Sequence, residues 1–231
     1  MLYLISSLQG LSAIEILAIA LAYFIAICIA LSVHEWAHAF VAYKCGDDTA
    51  KLAGRLTLNP IAHMSGWGLL CFAFIGFGWA KPVPINPSRF RSYRKHSILV
   101  ILSGVLSNFI LAFIFSGILY FLGGIIFAEY MINSSLLCLF LYYFLLFCVQ
   151  INLILLIFNL LPIPPLDGFN LIAMLTKYGN KFVDFMNRYG FVVLLFMLLP
   201  FFNGSSMLTL FYNNALPLFL SYFSFFWGLF V

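Results

Sequence analysis

The sequence predicts an all-α polytopic membrane protein with about five to six transmembrane helices in a single domain, residues 1–231. Of its side chains, 65% are hydrophobic and 8% are charged, against roughly 25% charged in an average soluble domain. Several apolar runs reach the roughly 20 residues that a spanning helix needs. The eleven Lys and Arg residues are confined to three polar stretches. Because so few polar side chains could not cover a water-exposed surface, we expect a compact helical bundle in the lipid bilayer.

Five apolar runs predict the spanning helices. They lie at about 11–43, 97–127, 136–161, 191–202 and 207–231. The first run is long enough for one long or tilted helix. The third ends at Pro162, Pro164 and Pro165, because proline lacks the backbone donor that a helix requires. Apolar residues resume at Phe169, so we expect a new helical stretch directly after this break.

The segment 66–80 differs from the other apolar runs. It is short for a spanning helix, and it combines four glycines with five aromatic residues. This composition favours extended backbone over helix. Because open backbone cannot face lipid, we interpret the segment as a re-entrant or β-hairpin-like loop. The alternative is a short, kinked span.

The basic residues predict the orientation of the chain. They occupy the stretches 44–55, 81–95 and 177–188. The turns near 129–135 and 203–206 contain no Lys or Arg. Since positive loops stay in the cytoplasm, all three basic stretches are predicted to be cytoplasmic and the N-terminus external. This arrangement requires segment 66–80 to enter and leave on the same side. No basic run is interleaved with polar residues in the way typical of nucleic-acid binding, so no such partner is predicted.

The most informative motif is His34-Glu35-Trp36-Ala37-His38 near the end of the first apolar run. Residues four apart share one face of a helix, so two imidazoles at this spacing can bind a zinc ion, with Glu35 as a general base. The alternative is a helix whose two histidines are hydrogen-bonded to neighbouring helices. Ionisable side chains inside a membrane segment are costly, which favours the functional interpretation.

Asp167 is the candidate third ligand. His34 precedes Lys44 by the same ten residues by which Asp167 precedes Lys177. If both intervals are helical, each site lies roughly 15 Å from the cytoplasmic edge. Catalytic zinc sites typically have three protein ligands. The alternative role of Asp167 is a helix N-cap after the proline break. The five cysteines show no C-x-x-C spacing, so neither a cysteine metal site nor a disulfide framework is predicted.

Four motifs, in this order along the chain, carry a family resemblance. They are His34-Glu35-Trp36-Ala37-His38; Leu58-Asn59-Pro60 with His63, followed by 78–84; Gly104 to Asn108; and Asn159-Leu160-Leu161-Pro162 with Pro165-Leu166-Asp167-Gly168. The chain resembles the site-2 protease family of intramembrane zinc metalloproteases, in its compact bacterial branch without PDZ or CBS domains. The family-like core covers about 11–176, with an extra C-terminal helical hairpin at about 188–231. Val105 and Ser65 depart from the residues that the family often has at those positions.

The resemblance implies a function and a set of roles. One catalytic Zn2+ would be bound by His34, His38 and Asp167, and Glu35 would transfer the proton from water to the leaving amine. The substrate would be a transmembrane peptide, cut in or near the bilayer in regulated intramembrane proteolysis. The protein would be a multi-pass protein of the bacterial inner membrane, with its active site toward the cytoplasm.

Two asparagines are implied as polar helpers of this site. Asn108 and Asn159 are candidates for stabilising the oxyanion or positioning the substrate, and ordinary interhelical hydrogen bonding is the alternative for each. His63 is expected to be structural or adjacent to the substrate.

Two other functions remain open at the level of the sequence. A transporter or channel for a divalent cation would also place His and Asp side chains beside broken helices. In a transporter Glu35 could be a ligand, whereas a hydrolase needs it free for proton transfer. A non-cleaving relative that binds membrane helices is the third possibility, and the intact His-Glu-x-x-His motif and Asp167 argue against it.

Overall fold

The computed structural model describes residues 10–63, 65–66, 81–177, 179–200 and 206–230. In these ranges the regular elements are helices, which confirms the predicted fold class. They are α1 (Ala13–Lys44), α2 (Thr49–Leu52), α3 (Pro60–His63), a 3-10 turn (Pro87–Arg89), α4 (Tyr93–Asn133), α5 (Leu136–Asn159), α6 (Asp167–Leu175), α7 (Lys181–Leu198) and α8 (Met207–Gly228). Residues 67–80 lie outside the described parts, so the predicted re-entrant loop lies almost entirely outside them too.

Among the described residues, three helices are long and apolar enough to cross a membrane: α1, α4 and α5. Helix α1 begins with a capping box, in which the Ser12 side chain accepts the Glu15 N–H and Glu15 accepts the Ser12 N–H. Helix α4 extends over 41 residues, several residues beyond the predicted apolar run at each end. The total of five spans stays a prediction.

Small side chains allow α1 and α5 to pack closely. Ala22, Ala26 and Ala30 recur every four residues on α1, and all three are fully buried. They share one apolar core with Phe147 and Cys148 of α5. In a bilayer, where lipid tails remove most of the hydrophobic driving force between helices, such close van der Waals packing is a main source of helix association. This contact fixes α1, and with it the His-Glu-x-x-His motif, inside the bundle.

Helix α6 is held at both ends. At its start, Gly168 approaches the Leu160 carbonyl so closely that a Cβ atom would lie 2.3 Å from that oxygen. At its end, Arg94 of α4 donates from Nε to the Met174 carbonyl at 3.1 Å and from Nη2 to the Leu175 carbonyl at 2.9 Å. A cation that binds the free carbonyls of a helix C-terminus is favourable. Asp167, the first residue of α6, is therefore held at a defined position relative to α4.

The C-terminal helix α8 packs along α4. Trp227 covers Gly117, where a Cβ atom would lie 2.7 Å from the indole ring. The indole Nε1 donates a hydrogen bond to the Ser116 hydroxyl at 3.0 Å. Because the glycine leaves room for the ring, α8 contacts α4 directly, and Phe223 of α8 packs edge-to-face against Phe113 of α4.

Candidate metal centre

Three potential metal ligands converge between α1 and α6. The Nε2 atoms of His34 and His38 lie 3.1 Å apart. Oδ2 of Asp167 lies 3.5 Å from Nε2 of His34 and 3.2 Å from Nε2 of His38. Both histidines are buried. Among the described residues, these three form the one group of at least three His, Cys, Asp or Glu side chains close enough to share a metal ion.

Hydrogen bonds to α4 determine which ring nitrogen of each histidine faces the centre. Nδ1–H of His34 donates to Oδ1 of Asn108 at 2.7 Å, and Nδ1–H of His38 donates to the carbonyl of Val100 at 2.7 Å. Carbonyl oxygens can only accept, so the proton of each neutral ring is on Nδ1. The lone pair of each Nε2 is therefore directed into the centre, which is the tautomer that a metal requires.

A second asparagine fixes the orientation of the first. Nδ2 of Asn108 donates to Oδ1 of Asn152 at 2.9 Å, and Nδ2 of Asn152 donates to the Cys148 carbonyl at 2.8 Å. Both asparagines are fully buried. Because the last group in this chain is a backbone acceptor, neither amide can be reversed without losing a hydrogen bond. Oδ1 of Asn108 is thereby kept facing His34.

The residues fit a zinc ion. Two Nε2 lone pairs at 3.1 Å would repel each other, and the buried Oδ2 atom of Asp167 has no hydrogen-bond partner among the described residues. A cation among the three atoms would satisfy all of them, and two imidazoles with one carboxylate are a usual ligand set for catalytic zinc. A buried polar atom without a hydrogen-bond partner needs an explanation, and a bound cation would supply one here.

Gly104 of α4 makes room for the two imidazoles. A Cβ atom at this position would lie 2.3 Å from Nε2 of His38 and 2.7 Å from Cε1 of His34. No side chain larger than hydrogen can therefore occupy position 104 while both rings keep their places. Val100, Gly104 and Asn108 are spaced four residues apart, so one face of α4 contacts both histidines.

Glu35 lies beside the centre and outside the group of ligands. Its Oε2 atom accepts a hydrogen bond from the backbone N–H of Val83 at 3.0 Å. Glu35 shares a cavity of about 480 Å³ with His34, His38, Asp167 and Asn159. The walls of this cavity are otherwise mainly apolar, with contributions from α1, α4, α5, α6, α7 and the segment before α4. The apolar residues in the cavity wall are Leu31, Pro82, Val83, Ile85, Val100, Ile101, Leu155, Phe158, Pro165, Leu166 and Leu194.

The predicted site residues occupy different positions around the centre. His34, His38, Asp167 and Glu35 come together. The N-cap of α6 is Leu166, whose side chain makes no cap hydrogen bond, and Asp167 follows it as the first helical residue. Asn108 contacts His34. Asn159 lines the cavity, and its Nδ2 donates to the Leu155 carbonyl at 3.0 Å.

His63 was predicted to be structural or adjacent to the substrate, and three further features of the site were not predicted. His63 is not among the residues that line the cavity; its Nε2–H donates to the Thr57 carbonyl at 2.7 Å. Sequence reasoning missed Asn152, the Val83 amide and the steric role of Gly104. For Asn152 a signal existed, because a polar amide within an apolar helix is costly unless it is hydrogen-bonded.

The comparisons with known proteins agree with this geometry. The profile of Peptidase family M50 matches residues 121–199. The chain is 43% identical over 172 residues to the "Putative zinc metalloprotease YwhC" of Bacillus subtilis, an alignment that covers 74% of this chain and 77% of that protein. The chain belongs to Peptidase family M50, the site-2 protease family. It is also 26% identical over 184 residues to the "Putative zinc metalloprotease Rip2" of Mycolicibacterium smegmatis, covering 73% of this chain and 63% of that protein. No solved structure matches the chain.

For an M50 peptidase, the positions of the matched residues are informative. The matched part of the family profile begins within α4 and ends one residue after α7, so it contains Asn159 and Asp167. It does not contain His34 or His38. Asp167 and Asn159 therefore lie within the profile match. The histidine pair lies outside it and is brought to Asp167 by the packing of α1 against α4 and α5.

Proposed function

We propose that this M50 peptidase is an intramembrane zinc metalloprotease that hydrolyses peptide bonds in or near the transmembrane segments of membrane proteins. The observation that supports this most strongly is the position of the centre. His34, Glu35 and His38 lie in α1, a helix long and apolar enough to span a membrane, and Asp167 completes the ligand set within one cavity. A hydrolytic site in such a helix serves substrates that are themselves in the bilayer.

His34, His38 and Asp167 are the residues that would bind the ion. Zinc, when bound there, supplies a Lewis acid that polarises the substrate carbonyl and makes water more acidic. Glu35 takes the proton from the attacking water and gives it to the leaving amine, as a general base and then a general acid. The Asn108 and Asn152 side chains keep His34 in the tautomer with a free Nε2.

The two predicted polar helpers have different roles in this proposal. Both polar ends of Asn108 are already used, one by His34 and one by Asn152, so Asn108 positions a ligand. Asn159 lines the cavity and uses one N–H of its amide for the Leu155 carbonyl. An amide nitrogen carries two hydrogens, so the second N–H of Asn159 is a donor for the oxyanion that forms during attack.

The cavity suits an apolar peptide in extended form. Its walls include Leu31, Ile101, Phe158 and Leu194, and its volume is about 480 Å³. A substrate helix must unwind before its carbonyl becomes accessible, and an exposed strand edge would then bind its free backbone groups. Segment 66–80, interpreted from its sequence as a re-entrant or β-hairpin-like loop, is the candidate for this edge, and it lies mostly outside the described residues. By the positive-inside rule, the basic stretches favour an active site toward the cytoplasm.

The cation-transport alternative has less support. A carrier would use Glu35 as an additional ligand, whereas Glu35 is not part of the group that could share a metal ion. Its carboxylate is instead hydrogen-bonded to a backbone amide. This arrangement suits a general base, because a carboxylate that binds no metal ion can still exchange a proton with water.

The decisive experiment replaces the proposed base. Glu35→Gln keeps the shape of the side chain and leaves all three ligands in place. We expect cleavage of a single-span reporter peptide in proteoliposomes to be lost, while zinc measured by mass spectrometry stays at one ion per chain. Glu129→Gln is the matched control. Glu129 is exposed near the C-terminal end of α4, away from the part of this helix that contacts the two histidines. Cleavage at the wild-type rate by Glu35→Gln would refute the proposed mechanism.

A further inference from the structure

The segment Lys81–Asn86, here called the proline strap, reaches Glu35 through one backbone amide. Val83 lies between Pro82 and Pro84, and proline has no N–H. Val83 therefore provides the one amide donor within 82–84. That donor points at Oε2 of Glu35, with an N···O distance of 3.0 Å.

The proline strap is fixed at several points to the polar connection between α1 and α3. The N–H of Lys81 donates to the His63 carbonyl at 2.8 Å. The buried Arg55 donates from Nη2 to the Lys81 carbonyl and, at 3.4 Å, to the Pro82 carbonyl. At the other end, the N–H of Asn86 donates to Oδ2 of Asp47 at 2.6 Å. The amide of Val83 is thus presented to Glu35 by backbone that is anchored on both sides.

Packing of the Val83 side chain adds to this rigidity. Val83 is 8% exposed. It forms a small core with Ala39 of α1 and Ala50 of α2, both fully buried. Ala39 is next to His38 in the chain, so the same turn of α1 carries a potential ligand and the residue against which the proline strap packs. Buried side chains in a close-packed cluster move little, and the Val83 amide stays in place relative to the metal centre.

We propose that the Val83 backbone N–H is a positioning group for the catalytic base, which rests on the assignment of Glu35 under the proposed function. A glutamate has three rotatable side-chain bonds, and its carboxylate can take many positions. The N–H of Val83 fixes Oε2 through a charge-assisted hydrogen bond, which is stronger than a neutral one. Oε1 remains available for proton transfer. Small displacements of a reacting group can cost as much as a hundredfold in rate, so the position of this one amide determines how well the base works.

The test removes the N–H and keeps the Val83 side chain. Incorporation of the α-hydroxy analogue of valine by nonsense suppression replaces the amide at position 83 with an ester, in the full chain in proteoliposomes. We expect kcat to fall about ten- to a hundredfold with little change in KM and with zinc content unchanged. The matched control is the same amide-to-ester exchange at Leu58. Leu58 is exposed, it is not among the described residues that line the cavity, and its N–H has no hydrogen bond among those found for the described residues.

Two ordinary substitutions at position 83 also compare the enzyme with and without this N–H. Val83→Pro removes the N–H, and Val83→Ala shortens the side chain but keeps the N–H. We expect kcat of Val83→Pro to lie at least about tenfold below that of Val83→Ala, with equal zinc content and equal melting temperatures. If Val83→Pro fails to fold, the ester variant carries the test.

A third measurement reports on the hydrogen bond itself and needs no activity. In protein labelled with 15N-valine, the amide signal that is missing from Val83→Ala belongs to Val83. Glu35→Gln replaces the charged acceptor, so this signal should move more than the signals of the other valines outside α1. An unchanged signal would show that the hydrogen bond is absent and would overturn the inference.

The outcomes separate the two proposals. If Glu35→Gln is inactive and the ester at position 83 behaves like the ester at position 58, the positioning role is wrong and the proposed function stands. If Glu35→Gln keeps its activity, the assignment of the base fails and the positioning role fails with it. A rise in KM at unchanged kcat would make Val83 a substrate contact, and a loss of zinc would make it a structural residue. Either of these two results overturns the inference.

Discussion

The Nε2 atoms of His34 and His38 lie 3.1 Å apart in a buried site, although both rings have their proton on Nδ1. Two lone pairs at this distance repel each other, and burial removes the water that would otherwise separate them. A cation between the two nitrogens would relieve this repulsion, and the Asp167 carboxylate would balance its charge. The apo form should accordingly be less stable than the zinc form.

Helix α4 arranges this centre although it contributes none of the three potential ligands. From its N-terminal end, it supplies Arg94 to hold α6, the Val100 carbonyl for His38, Gly104 as space for both rings, and Asn108 for His34. Helices α1 and α6 are thereby positioned against the same partner.

Gly104→Ala should disrupt the metal centre. The new Cβ would lie 2.3 Å from Nε2 of His38, so at least one imidazole must move away from the centre. We expect zinc content and cleavage to fall more than tenfold, an effect comparable to the loss of a residue that orients a ligand. Gly124→Ala is the control on the same helix, because a Cβ at Gly124 meets nothing within 4 Å. Full zinc content in Gly104→Ala would contradict the packing argument.

Asp167→Asn should remove zinc and leave the fold intact. Asparagine keeps the shape of the side chain, but a neutral amide is a weak ligand for Zn2+. Asparagine is also as good an N-cap as aspartate, so a capping role predicts that metal and activity survive. Zinc per chain and circular dichroism measured on the purified variant distinguish these roles. Asp184→Asn, in the first turn of α7, is the control and should bind one zinc ion.

Asn152→Leu should weaken zinc binding without touching a ligand. The substitution leaves Nδ2 of Asn108 without its acceptor, so nothing holds the Asn108 amide in the orientation that fixes His34. Loss of such an outer partner typically costs ten- to a hundredfold in metal affinity. Asn214→Leu is a close control, because Asn214 makes the same bond to a carbonyl four residues earlier, at 2.8 Å, on the exposed side of α8. Competition with a zinc chelator measures both affinities, and equal affinities would rule out the orienting role.

Asp47 should make the polar connection sensitive to acid. Burial alone would raise the pKa of Asp47, but hydrogen bonds from Thr49 and from the Asn86 N–H hold this pKa below its ordinary value of 3.8. The folded state therefore favours the ionised carboxylate, and its contribution is complete above about pH 5 and is lost as the pH falls through the lowered pKa. Asp47→Asn should cost about 1–3 kcal/mol at pH 7. The difference from wild type should shrink below about pH 4.

Melting temperatures in detergent between pH 3 and pH 7 measure this effect. Asp184→Asn is the reference, because Asp184 is exposed. A deficit of Asp47→Asn that stays constant over this range would show that the carboxylate charge is not what stabilises the connection.

Chemical labelling tests the predicted orientation. In a cysteine-free chain, a single cysteine at position 91 should react only with reagents that reach the cytoplasm, and one at position 133 should react from outside. Arg91 and Asn133 are both exposed in the structure, so each site is accessible to a maleimide. Labelling of both positions from the same side would contradict the placement of the basic stretches.

The sequence by itself determined the helical class and the position of the histidine pair. Composition decides the class, because so apolar a chain can satisfy its backbone in lipid only through helices or closed barrels. The spacing of His34 and His38 is a local property, since residues four apart meet on any helix. The end of α5 at the proline break is also a local property, because proline lacks the backbone donor that a helix requires.

The tertiary structure decided the contacts that complete the centre. The partnership of Asp167 with the histidines depends on how Arg94 and Gly168 hold α6, and the tautomer of His34 depends on Asn108 and Asn152 from two other helices. No spacing along the chain encodes these contacts, because each joins residues that are distant in sequence and meet only when α1, α4, α5 and α6 pack. The amide of Val83 reaches Glu35 for the same reason: its direction is set by the anchoring of the proline strap on both sides.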